Sequence, residues 1–172
     1  MRKSIVIAGL LGVAAATLAP TAVSSKTNTI ARAGSWEAFG GTTSKGNGIC
    51  GMSSEVDARY FGVKRITESE IISIQIGTSQ WKLSDGQKMA VRLIFDQNEP
   101  RDLAAVGIHF EDGDAGLEFY IEQGETENFL REFRQSSRLV VSFPDGNYAD
   151  WKLSLSGSSA VSDAFQACLR KL

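Results

Sequence analysis

The chain has 172 residues, 42% of them hydrophobic, with 18 Lys and Arg against 20 Asp and Glu and a formal net charge of −2. That is one domain's worth of sequence with enough apolar content for a core. No basic run is present, which argues against a nucleic-acid binder working through phosphate contacts.

Arg2 and Lys3 precede an apolar run from Ile5 to Ala19 that ends at Pro20. This is the pattern of a signal peptide, and the run is short for a membrane-spanning helix. An uncleaved anchor is the alternative. Cleavage fits near Pro20-Thr21-Ala22 or after Ala31-Arg32-Ala33, and the second is preferred because Trp36 opens patterned sequence directly afterwards. Residues 1–33 are therefore expected to be signal peptide and leader, with 21–33 leader or disordered tail, and 34–172 a single β-rich domain. Removing Arg2, Lys3, Lys26 and Arg32 leaves 14 bases against 20 acids, a net of −6. Such a domain is also a weak candidate for anionic membrane surfaces, and no later segment is long and apolar enough to span a bilayer.

Trp36-Glu37-Ala38-Phe39 starts the first expected strand. Gly40 to Gly48 reads as a loop, and Ile49 to Ser54 returns as a hairpin partner. Ile72, Ile74 and Ile76 alternate with polar residues, and a short run at Gln80–Leu83 leads into the tight-turn pair Asp85-Gly86. Met89, Val91, Leu93 and Phe95 form one face of a strand. Ala104, Val106, Ile108 and Phe110 are expected to form the inward face of the next, with Leu117, Phe119 and Ile121 after the turn at 111–116. The period then switches. Phe129, Leu130 and Phe133 form one side of a short helix over 125–136, with acids early and bases late, as the helix dipole favours. Leu139, Val141 and Phe143 make a strand and Pro144 to Asn147 a turn. Trp151, Leu153 and Leu155 give the closing strand. Val161, Ala164, Phe165, Cys168, Leu169 and Leu172 recur at helical spacing in a C-terminal helix. Ser158 or Ser159 is expected to cap it, and Arg170 and Lys171 fall in its last turn. The fold class is mainly β: an antiparallel β-sandwich or highly curved sheet with two short helices, the second C-terminal.

Cys50 and Cys168 are the two cysteines, and in an exported chain they most economically form one disulfide. The closed loop of 118 residues would contribute up to about 4–5 kcal/mol in the chain-entropy model. Two free thiols, or a reactive Cys50, are the competing readings. His109 is the only histidine, and strand alternation turns it toward solvent or an edge. No nucleophile motif accompanies it. Glu111, Asp112 and Asp114 share one turn and could gather around calcium, but the further ligands of a recognised loop are missing, so no metal site and no cofactor are assigned. Trp36, Trp81 and Trp151 read as core or rim packing. Tyr120 and Tyr148, with Asp112 and Asp114, are the candidate partner surface.

Several segments together resemble a known family: Gly34-Ser35-Trp36-Glu37-Ala38, Ile49-Cys50-Gly51-Met52, the Phe129–Phe133 helix leading to Leu139-Val140-Val141, and Leu155 to Ala160 running to Phe165-x-x-Cys168. The chain is similar to the invasion-associated locus B family of small periplasmic or secreted bacterial proteins. It departs from many relatives in having Phe39-Gly40-Gly41 where they carry a further cysteine. The resemblance implies a compact β-sandwich of the cell envelope, without established catalytic activity, with a role in host association or envelope stress. The leading expectation is a non-enzymatic periplasmic or secreted protein that binds a protein or other envelope component. A small inhibitor of a basic hydrolase such as lysozyme and an enzyme with an unrecognised site are the alternatives.

Overall fold

The computed structural model describes residues 26–110, 112–145 and 148–172. The expected signal segment up to residue 25, Glu111, and Gly146 and Asn147 of the expected turn lie outside the described residues. The strands are β1 (Lys26–Ala33), β2 (Trp36–Thr42), β3 (Gly48–Val56), β4 (Arg59–Ile66) and β5 (Ile72–Gly77). There follow β6 (Lys88–Phe95), β7 (Arg101–His109), β8 (Ala115–Ile121), β9 (Arg138–Ser142) and β10 (Trp151–Ser154). Helix α1 (Thr126–Gln135) separates β8 from β9, and α2 (Ser158–Leu169) follows β10.

Every strand pairs antiparallel with its neighbours in one sheet, in the order β1-β2-β3-β4-β5-β8-β7-β6-β9-β10. Of the two expected architectures, this is the highly curved sheet. Its two margins meet without forming a ladder: the Trp36 indole Nε1 donates to the Ser154 carbonyl at 2.9 Å, although β2 and β10 lie near opposite ends of the strand order. The concave side holds the core. Phe129, Leu130 and Phe133 of α1 are buried there, with the Phe133 ring 4.9 Å from Trp36 in an edge-on contact and 6.3 Å from Phe61. Helix α2 covers β1, β2 and β3 and packs against α1. Cys50 on β3 and Cys168 on α2 meet at disulfide distance, with Cα atoms 5.9 Å apart, so the closing helix is tied to the front of the sheet.

Four expectations change. Residues 26–33, expected to be leader or disordered tail, form β1 and pair with β2 from Lys26↔Thr42 to Ala33↔Trp36, with a bulge near Ile30. The apolar periodicity missed this strand because an edge strand buries little: six of its eight residues are exposed. On β7 the buried residues are Ala105 and Gly107, whereas Ala104, Val106 and Ile108 face outward. Cross-strand partners share a face, and the register pairs the buried Met89 with Ala105 and the buried Leu117 with Gly107. Small residues therefore point in and branched ones out. Helix α2 is entered through Gly157 in a left-handed conformation, without a side-chain cap. The Ser158 hydroxyl instead donates to the Phe133 carbonyl at 2.9 Å, which bonds the two helices together. Finally, α2 ends at Leu169, so Arg170 and Lys171 lie just beyond its last turn.

A chain starting at Gly34 should melt at lower temperature and self-associate, because loss of β1 bares the edge of β2; thermal unfolding and light scattering of the two lengths measure this. Trp36→Phe leaves the Ser154 carbonyl without its donor and opens space beside Phe61 and Phe133. It should cost about 2–4 kcal/mol in denaturant unfolding. Denatured without reductant, the purified chain should take up no alkylating reagent, and with reductant it should take up two equivalents, as counted by intact mass.

Candidate interaction surface

The β3–β4 hairpin turns through Asp57 and Ala58, both with positive φ, at 53° and 55°. Two successive left-handed residues match the strand twist in a two-residue hairpin, a position that usually takes Asn-Gly. For alanine the conformation costs about 1–2 kcal/mol because its Cβ crowds the following carbonyl. Val56, beside the turn, is 50% exposed. Concave surfaces lie on both flanks of this hairpin end.

On one flank, a cleft of about 210 Å³ separates the hairpin from β10, lined by Ser54, Val56, Arg59, Trp151, Leu153 and Ser154 among others. The Arg59 guanidinium lies 5.5 Å from the Trp151 ring centroid, a cation–π arrangement. Trp151 itself stacks on Trp81 at 4.8 Å, and Phe143 and Tyr148 complete the aromatic cluster. All three tryptophans are buried packing residues, and Trp151 also forms a wall of the cleft.

On the other flank, a groove of about 500 Å³ gathers Glu55, Ala58, Tyr60, Phe110, Asp112 and Asp114. Tyr60 and Phe110 meet edge-on at 5.6 Å. Both rings occupy space left by glycines: a Cβ on Gly62 would fall 2.1 Å from the Tyr60 hydroxyl oxygen, and one on Gly77 would fall 2.3 Å from the Phe110 ring. Burial, with Glu37 and Glu55 adding negative charge nearby, pushes the Tyr60 phenol up to about 12. The groove is therefore acidic and aromatic at neutral pH.

The four residues expected to form a partner surface separate. Asp112 and Asp114 come together in the groove, where the Asp114 amide donates to Asp112 Oδ1 at 3.0 Å. Tyr148 is half-buried against Trp81 and Phe143. Tyr120 is 51% exposed on the outer face of β8 and donates from its hydroxyl to Glu118 Oε2 at 2.6 Å. His109 is exposed because it ends β7, not through alternation, since it shares a face with the buried Ala105 and Gly107; it pairs with Asp85 at 2.8 Å. Among the described residues no group of three or more His, Cys, Asp or Glu side chains is placed to hold a metal ion. The groove residues Glu55, Tyr60 and Phe110 escaped the sequence reading, because nothing in a strand's periodicity reports which strand ends share a concavity.

The outer face carries a second polar arrangement. Glu118 accepts from Ser73 at 2.9 Å and Gln75 at 2.8 Å as well as from Tyr120, and Lys64 donates to Gln75 at 2.6 Å. Half-burial of Glu118 acts to raise its pKa, but the three hydrogen bonds and the Lys64 charge outweigh it and hold the carboxyl below its ordinary range. The bond to Glu118 raises the Tyr120 phenol to about 12.

No family model matches the chain, and no curated protein sequence does. The fold defines the class: one curled antiparallel sheet with a helix in its concave side and a C-terminal helix tied back by the Cys50–Cys168 pair. The crystal structure of invasion associated protein B from Bartonella henselae has this fold, with a TM-score of 0.58 and 15% sequence identity over 84% of this chain and 98% of that one. The resemblance implied a β-sandwich; the chain instead forms one curled antiparallel sheet, mainly β as expected and with the second helix C-terminal.

Two measurements follow. Ala58→Gly should raise stability by about 1 kcal/mol, since glycine meets no penalty at positive φ; equilibrium unfolding reads this. Glu118 has a lowered folded pKa, so its contribution is complete above the unfolded value near 4.3 and is lost as pH falls through the folded value. Glu118→Gln should therefore flatten the acid limb of the stability–pH curve while leaving the neutral part, below the tyrosine range, parallel to wild type.

Proposed function

We propose that this chain is a non-enzymatic protein of the bacterial envelope, exported through its N-terminal apolar segment, that binds a protein or other envelope component through the β3–β4 hairpin end of its sheet. The observation that carries this reading is the convergence of two clefts of opposite character on one exposed hairpin end, held by a frame whose core is closed. Recognition surfaces are commonly loops and turns positioned by a rigid scaffold. Three further features support export and envelope location: the Arg2-Lys3 start with its apolar run, the disulfide pair in a class of chain where disulfides persist, and the fold shared with invasion associated protein B. No helix among the described residues is long and apolar enough to cross a membrane.

The experiment is capture from envelope extract on immobilised chain. Asp57→Lys combined with Asp112→Asn and Asp114→Asn should reduce capture of the retained component at least tenfold, whereas Tyr120→Ala on the outer face should leave it unchanged. The reverse pattern would move the interface to the outer face. A second reading, a small inhibitor of a basic hydrolase, is favoured by the acidic groove of Glu55, Asp112 and Asp114, whose charge suits a cationic partner. It predicts inhibition of lysozyme at equimolar concentration, lost on neutralising the two aspartates.

A further inference from the structure

Strand β10 has a ladder partner on one side only, β9. Its register continues past the strand, because the Leu155 amide donates to the Ser137 carbonyl at 2.9 Å. In an antiparallel ladder hydrogen-bonded pairs alternate with non-bonded ones. Leu155↔Ser137 is bonded, so Leu153↔Leu139 and Trp151↔Val141 are bonded as well, and the backbone groups of Lys152 and Ser154 face away from β9. The Ser154 carbonyl is taken by the Trp36 indole. The Lys152 amide and carbonyl and the Ser154 amide have no backbone partner among the described residues. These groups border the cleft whose far wall is Ser35, Ser54, Val56 and Arg59. The long wall of this cleft is a strand edge.

We infer that this open edge takes an extended, acidic segment of a partner protein as an additional strand, an assignment that rests on the binding role proposed above. Main-chain bonds to an exposed edge supply affinity in such strand addition, and flanking pockets select side chains. Here the selecting groups are legible. Val56 and the Trp151 wall offer apolar contact. Arg59, Lys152 and Arg138 surround the edge, and none has a carboxylate within ion-pair distance among the described residues. Asp57 on the rim and Asp150 before β10 oppose them, leaving the positive charge in excess. In a chain whose overall balance is acidic, a local excess of unpaired cations along a free edge favours an acidic segment with alternating apolar side chains.

The test uses the purified chain and a labelled peptide, Glu-Val-Glu-Val-Glu-Val, followed by fluorescence anisotropy. Saturable binding is expected, at least tenfold weaker for the Lys-Val counterpart and lost when alternate peptide amides are N-methylated. Lys152→Pro removes an amide that the β9 ladder does not use, a position where an edge strand tolerates proline. It should weaken binding about tenfold, the loss of one main-chain bond, without moving the unfolding midpoint. Arg59→Glu should weaken it further. Should Lys152→Pro perturb the fold, hydrogen exchange on the unaltered chain decides: the Lys152 and Ser154 amides must become protected when peptide is added. Absence of saturable binding, equal affinity for the N-methylated peptide, or unprotected amides overturns strand addition. Envelope capture that depends on the Asp57, Asp112 and Asp114 substitutions but ignores Lys152→Pro removes strand addition alone and leaves the broader binding role intact. Peptide binding with no envelope capture at all does the reverse.

Discussion

One hydrogen bond fixes how the sheet closes. Ten strands carrying the usual right-handed twist coil progressively, and an open sheet of this width must either flatten, split or curl. The indole of Trp36 chooses the third outcome by reaching from β2 to the Ser154 carbonyl at the end of β10. Its ring simultaneously packs edge-on against Phe133 and Phe61. One side chain thus joins the two margins of the sheet and roofs the aromatic core beneath them. Closure is by a side chain and not by a ladder, so β10 keeps free backbone groups one residue from the contact. The same geometry that completes the core leaves the edge open.

The disulfide reinforces this arrangement from the other side. Helix α2 begins at Gly157, whose absent side chain lets it lie against the Ala33 carbonyl at the end of β1; a Cβ there would fall 2.3 Å from that oxygen. The helix then crosses β2 and β3, and Cys168, one residue before its end, is joined to Cys50. Both ends of α2 are anchored to the first three strands; its first residue, Ser158, bonds it to α1, and Val161 and Phe165 bury its inner face. The N-terminal strands therefore belong to the same cooperative unit as the C-terminal helix. That is why β1 cannot be regarded as a tail even though nearly all of its side chains face solvent.

Legibility in the sequence followed burial contrast. β5, β6 and β8 alternate large apolar with polar residues, and each was placed with its correct inward face, as was α1 with Phe129, Leu130 and Phe133. β7 was placed but turned over, because Ala105 and Gly107 fill the inside while Val106 and Ile108 occupy the outside, and hydrophobicity alone cannot rank those options. β4 went unread: its turn is Asp57-Ala58, without the Gly or Asn that marks a tight hairpin, and Gly62 interrupts its run. The pairing of Cys50 with Cys168 was accessible from composition and compartment. The clefts were not, since they depend on which strand ends meet after the sheet curls.

The strained turn marks where this surface is held most tightly in place. An Asn-Gly pair would form the same hairpin without the penalty that Ala58 carries, and the fold does not need alanine there for packing: Ala58 is exposed and faces the acidic groove. Residues held in sparsely populated backbone regions persist where the surrounding structure over-determines them, and they concentrate at ligand-facing positions. Here the over-determination comes from the β3–β4 ladder, in register from Val56↔Arg59 to Ile49↔Ile66. That ladder fixes Arg59 over Trp151 on one flank and Tyr60 beside Phe110 on the other. The cost at Ala58 thus falls at a tip that the ladder fixes between both clefts.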